Sequence, residues 1–130
     1  MSPAKSIKAL VVDDEPYMHR LLQYHLGRLG FQMLDARNGR EALDVARRET
    51  PDLIVMDVMM PELDGLSALK ELKKSAPTQS IPVIMITANA FHVTREEAEA
   101  SGAALFLTKP FSPTQLIQAV RKFVPELTAP

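Results

Sequence analysis

Four apolar runs of this chain each stop on a polar residue able to handle a phosphate or a metal ion. Residues 7–12 end on Asp13 and Asp14, residues 53–56 on Asp57, residues 83–86 on Thr87, and residues 104–107 lead through Thr108 to Lys109. If those runs are parallel strands of one sheet, all five groups meet at its carboxyl edge, where open α/β sheets bind ligands. Three carboxylates cannot crowd together there without compensation. Two unit charges ~4 Å apart repel by about 4 kcal/mol at an effective dielectric of ~20. Such a cluster holds either protons or a cation, and an all-oxygen ligand set with room for water suits magnesium. With a hydroxyl and an ammonium added, the set describes a magnesium-dependent phosphoryl site.

The elements that must position these groups alternate along the chain. After the first run, Pro16 falls in the first turn of a helix, where its missing amide costs nothing. Leu21, Leu22, His25, Leu26 and Leu29 then recur at helical spacing, and Gly30 ends the helix. A second strand over 32–36 is interrupted by Gln32 and Asp35, which predicts an edge rather than a central position. Asn38 with Glu41 three residues on resembles a capping box. It opens a helix carrying Ala42, Leu43, Val45 and Ala46, which stops before Pro51. The third run is continuously apolar, as in a strand covered on both faces. A loop over 58–64 leads through Gly65 to a helix with Leu66, Leu69 and Leu72 on one face.

Beyond the fourth run, the segment 93–101 predicts a short helix that is unusually charged (Arg95, Glu96, Glu97, Glu99) and thinly anchored. The last helix, about 113–124, should bury Leu116, Ile117, Val120 and Phe123. Five strands alternating with five helices predict a doubly wound α/β fold. Its sheet is parallel, with right-handed crossovers and helices on both faces.

The bulk composition narrows the function classes. A chain of 130 residues with 46% apolar and 24% charged side chains is an ordinary globular domain. Its formal net charge of -1 supplies no general attraction to nucleic acid or anionic lipid. The absence of cysteine excludes disulfides, thiolate zinc sites and cysteine nucleophiles. No apolar run approaches the ~18 residues of a membrane span, so the expectation is a cytoplasmic protein without a membrane partner.

Taken in order, four motifs resemble the receiver domain of bacterial two-component response regulators. They are Val11-Val12-Asp13-Asp14-Glu15, the stretch from Asp57 through Met59, Met60 and Pro61 to Asp64-Gly65, Thr87-Ala88, and Lys109-Pro110-Phe111. Each is weak alone and the four together are strong; the resemblance covers roughly residues 7–124, leaving 1–6 as an N-terminal extension and 125–130 as a tail or linker stub. The resemblance implies a flavodoxin-like sheet of order 2-1-3-4-5. In that order strands one and three are central neighbours, so Asp13, Asp14 and Asp57 converge at the switch point.

The same resemblance implies a division of roles. Asp57 takes the phosphoryl group as an acyl phosphate. Asp14 and Asp57 ligate Mg2+ (or Mn2+) directly with the backbone carbonyl of Met59, and Asp13 acts mainly through water. Lys109 supplies a second cation, Thr87 donates its hydroxyl to a phosphoryl oxygen, and Phe106 stands at the family's switch aromatic. Each residue also has a plainer reading. Asp57 could cap the turn after its strand, Asp13 and Asp14 could cap a helix, and Thr87 could do likewise. Lys109 could be a surface lysine and Phe106 an ordinary core ring. The scattered His19, His25 and His92 read as surface or helix histidines, with no acid partner within reach along the sequence. Met59, being apolar, cannot orient a water, which predicts slow loss of the phosphoryl group.

The implied function is a signalling module rather than an enzyme, although it would catalyse its own phosphorylation and dephosphorylation. Its phosphoryl donor would be a sensor histidine kinase or a histidine phosphotransfer protein. Its output would be a separate protein or a fused effector, without direct DNA binding by this chain. Competing classes fit less well. An aspartyl phosphatase of the haloacid dehalogenase type wants an acid two residues after Asp57, where Met59 stands. A flavin carrier wants a Ser/Thr/Gly-rich loop where this chain has Asp13-Asp14-Glu15. A scaffold that is never phosphorylated would not need the full set of site residues. The six residues after the last helix are too few for an effector, so the chain is read as a free-standing receiver or one cut from a larger protein.

Overall fold

In the computed structural model, residues 7–58, 64–87, 95–109 and 111–124 are described. Met59, Ala88, Asn89, His92 and Pro110 lie outside them, as do the expected extension 1–6 and tail 125–130. Five strands, β1 (Lys8–Val12), β2 (Gln32–Ala36), β3 (Leu53–Asp57), β4 (Val83–Thr87) and β5 (Leu105–Thr108), form one parallel sheet. Their order is β2-β1-β3-β4-β5, the flavodoxin-like arrangement. Between and after them run α1 (Pro16–Arg28), α2 (Gly39–Glu49), α3 (Gly65–Lys74), α4 (Arg95–Ala100) and α5 (Pro113–Phe123).

Strand periodicity divides the core. Leu10, Val12, Ile54, Met56, Val83 and Met85 pack on the face covered by α2, α3 and α4, joined by Phe106. Their alternates, Ala9, Val11, Leu53, Val55, Ile84 and Ile86, pack on the face of α1 and α5. Because β3 and β4 have helices on both sides, all five residues of each are buried. Burying one such aliphatic side chain contributes roughly 1.5–3 kcal/mol. The polar β2 is an edge, with Gln32 and Asp35 exposed.

Local signals act where the sequence carries them. Pro16 is the first residue of α1, Asn38 Oδ1 accepts the Glu41 N–H at 2.8 Å, and Ser112 with Gln115 completes a full capping box at α5. The charged α4 buries only Ala98. Two buried faces differ from the expected pattern. Helix α1 turns His19 inward with Leu22 and Leu26, while α5 buries Leu116, Ala119 and Val120 and leaves Ile117 and Phe123 half-buried. Both follow from small rotations about the helix axis that a short periodic pattern does not fix.

Candidate functional site

The strand ends assemble one cluster. Asp57 and Thr87 are the last residues of β3 and β4, and Asp13 directly follows β1. Pairing of Ala9, Leu10, Val11 and Val12 with Leu53, Ile54, Val55 and Met56 keeps the ends of β1 and β3 level. As a result, Asp13, Asp14 and Asp57 each present a carboxylate oxygen within 4.8 Å of the others. Lys109 comes from beyond β5, its amide donating to the Thr87 carbonyl at 2.8 Å. Its Nζ donates to Asp57 Oδ2 at 3.2 Å and lies 3.8 Å from Asp13 Oδ2.

Asp13 is almost wholly buried, and Asp57 is buried beside it. Burial drives the Asp13 carboxyl from an ordinary 3.8 up to about 6. The neighbouring Asp57 charge adds to that rise, whereas the Glu15 amide (2.8 Å from Oδ1) and Lys109 oppose it. Burial thus disfavours the charged form of this carboxylate. The donor set is all oxygen and carries more negative charge than one ammonium neutralises, so it fits a hard divalent cation. Among the described residues, Asp13, Asp14 and Asp57 form the group able to hold one.

Thr87 is fully buried at the end of β4. Alternation along β4 puts it on the same face as Met85, whose register partner on β5 is Phe106. The two candidate switch residues are thus diagonal neighbours on the face beneath α4. The Phe106 ring is 2% exposed, and the Arg95 guanidinium carbon lies 5.8 Å from its centroid. The ring is therefore turned into the core.

Two contributors have a role at the site that the sequence does not show. Gly65 opens α3 against the back of the site, its amide donating to the Val58 carbonyl at 2.9 Å. A Cβ there would strike the Asp57 carbonyl oxygen and lie 2.9 Å from Val58 Cα, both backbone atoms that cannot swing aside. Gly65→Ala is expected to cost about 2 kcal/mol through this overpacking and to displace Asp57. Urea denaturation measures the first effect, and divalent-cation affinity the second. His19 is the other. It is buried, with Nδ1 3.1 Å from the Asp13 carbonyl oxygen and Nε2 3.7 Å from Asp35 Oδ2. Its acid partner comes from β2 through the Val11–Asp35 register, a neighbour that spacing along the sequence could not reveal. Among the described residues no helix is long and apolar enough to cross a membrane.

Comparison with known proteins agrees with this geometry. A sequence profile described as the response regulator receiver domain matches residues 9–121. The probable transcriptional regulator ycf27 of Porphyra purpurea is 42% identical over 114 residues, 88% of this chain and 46% of that protein. The alkaline phosphatase synthesis transcriptional regulatory protein PhoP of Bacillus subtilis is 41% identical over 125 residues, 95% of this chain and 51% of its own length. The chain thus spans about half the length of the curated relatives it matches. Among solved structures, the receiver domain of a sensor histidine kinase from Pseudomonas aeruginosa superposes with a TM-score of 0.85 at 30% identity. It covers 94% of this chain and 100% of that one, and its active-site cleft coordinates a magnesium ion. The chemotaxis protein CheY4 of Vibrio cholerae superposes at 0.83 with 29% identity, covering 92% of this chain and 99% of that one. The profile match over most of the chain, supported by these relatives, means that this chain belongs to the response regulator receiver domain family of two-component systems.

Proposed function

We propose that this domain accepts a phosphoryl group on Asp57 in a reaction that requires Mg2+ or Mn2+, and that the modification switches an interaction surface through Thr87 and Phe106. The donor is a sensor histidine kinase or a histidine phosphotransfer protein in the cytoplasm, and the output is a partner protein or an attached effector. The observation that carries this reading is the pairing of opposite charges at one point of the sheet's carboxyl edge. Three carboxylates lie within 4.8 Å of one another, with the Lys109 ammonium 3.2 Å from Asp57 on one side.

In the reaction, an Asp57 carboxylate oxygen attacks the phosphorus of a phosphohistidine. The new P–O bond forms as the P–N bond breaks, and the departing imidazole takes up a proton. Lys109, already hydrogen-bonded to Asp57, stays in place to pair with a phosphoryl oxygen, a charge-assisted contact stronger than a neutral one. Thr87 supplies a hydroxyl donor to another oxygen. Asp13, Asp14 and Asp57 would hold the ion, with the Met59 carbonyl completing the set by family resemblance. When bound, the ion offsets the negative charge gathered between carboxylate and phosphate.

Movement of Thr87 toward the phosphate loosens the packing beneath α4, where Phe106 and Ala98 belong to the same core cluster. Taking a two-state element from 1:99 to 99:1 needs about 5.5 kcal/mol, part of which the Thr87 and Lys109 contacts would supply. The charged α4, with only Ala98 buried, has little packing to lose.

The test is metal dependence. Incubation with acetyl phosphate and Mg2+ should add the mass of one phosphoryl group, and chelation by EDTA should prevent it. Equal uptake with and without the divalent ion would overturn the role given to the three carboxylates.

A further inference from the structure

We propose a second cation site, beside the carboxylate cluster and on different ligands, in which His19 and Asp35 bind a borderline divalent ion of the zinc type. It lies in a cavity of about 390 Å³ between α1 and the edge strand β2, lined also by Asp13 and Asp14 of the carboxylate cluster and by Gln23, Arg20 and Arg37. The proposal does not depend on the phosphoryl reading.

The backbone around His19 fixes which ring nitrogen carries its hydrogen. Nδ1 lies 3.1 Å from the Asp13 backbone carbonyl, an oxygen that can only accept, so Nδ1 carries the N–H. In the neutral ring Nε2 then presents a lone pair. Nε2 is buried, has no hydrogen-bond partner, and belongs to a side chain only 9% exposed. The group it faces is Asp35 Oδ2 at 3.7 Å, a second acceptor. Two acceptors in opposition require a proton or a cation between them. A histidine whose other nitrogen is held by a backbone carbonyl is already oriented as ligating histidines are.

The spacing fits an ion. Zinc sits ~2.0–2.1 Å from a histidine nitrogen and ~2.0–2.2 Å from a carboxylate oxygen. A gap of 3.7 Å is a few tenths of an ångström wider than a tetrahedral pair needs. Asp35, 52% exposed on an edge strand, has room to close it. One imidazole nitrogen and one carboxylate favour zinc, cobalt or nickel over magnesium, which prefers oxygen and water. Gln23, one turn after His19 on α1, faces the same cavity, and water can fill the remaining positions. Arg20 and Arg37, which line the same cavity, oppose a cation, so the site is weak compared with a closed structural zinc centre.

The experiment titrates Zn2+ into the whole protein with Mg2+ in large excess, so that the carboxylate cluster is already loaded. The 15N resonances of the histidine rings report the outcome, with His25 as internal control. Zn2+ should move the His19 Nε2 resonance while the Nδ1–H is retained, and Asp35→Asn should weaken that response at least ~10-fold. Asp35→Asn alters an exposed edge residue, so the test survives even if His19→Gln fails to fold. An Nε2 resonance that stays unmoved and protonated would overturn the site, leaving a plain imidazolium–carboxylate pair. A response unchanged in Asp35→Asn, or abolished by Mg2+, would overturn it equally, because the ion would then sit elsewhere.

Discussion

Asp57→Asn is expected to abolish phosphoryl uptake from acetyl phosphate or a kinase, by at least ~1000-fold, because the amide cannot form the acyl phosphate. The substitution keeps the volume of the side chain and an oxygen able to accept from Lys109 Nζ, now 3.2 Å from Asp57 Oδ2. It also removes one of three crowded negative charges. The variant should therefore fold at least as stably as the parent in metal-free buffer, which separates lost chemistry from lost structure. The comparison is made by intact mass after incubation, alongside a urea titration of each protein. Uptake retained by folded Asp57→Asn would move the acceptor to another residue.

Asp13→Asn should give the largest pH effect. Asp13 rises from 3.8 to about 6 in the folded chain, chiefly through burial. Between those values the folded state binds more protons than the unfolded one, so this group's contribution to stability falls as pH rises. It is favourable below about pH 4 and fully lost above about pH 6. The difference amounts to about 3 kcal/mol. Asparagine has no charge to desolvate and keeps an acceptor for the Glu15 amide. In metal-free buffer at pH 7 it should thus be more stable than the parent by up to about 3 kcal/mol, with the advantage vanishing near pH 4. Excess Mg2+ should shrink that advantage, because an ion that binds only the folded parent stabilises it by mass action. Glu49, drawn down by its hydrogen bond from Lys8 at 3.1 Å, loses stability in the opposite direction at lower pH. For that reason the readout is the difference between the two proteins across a pH series of urea titrations. An Asp13→Asn variant less stable than the parent at pH 7 without metal would contradict the burial argument.

Much of the site could be read from the sequence because strand ends are sharp boundaries there. An apolar run interrupted by Asp13, Asp57 or Thr87 marks both the end of a strand and the group exposed at the sheet edge. The polar interruptions in β2 likewise told its place, since only an edge strand tolerates Gln32 and Asp35 facing water. Strand order was another matter, because pairing is set by which buried faces match across the whole sheet. It came from family resemblance and agrees with the observed β2-β1-β3-β4-β5. What escaped depends on close approach between distant segments. Gly65 reads only as the entry to a helix until the Asp57 carbonyl is seen against it. His19 reads as one more polar helix residue until the register of β1 with β2 brings Asp35 within 3.7 Å.

The most direct test of the central claim is to locate the phosphoryl group itself. After incubation of the unmodified chain with acetyl phosphate and Mg2+, borohydride should reduce an aspartyl phosphate to homoserine. Peptide mass mapping should then find homoserine at position 57 and nowhere else, with the conversion lost when Mg2+ is chelated. Conversion at Asp13 or Asp14, or a phosphoryl adduct that yields no homoserine at all, would contradict the account.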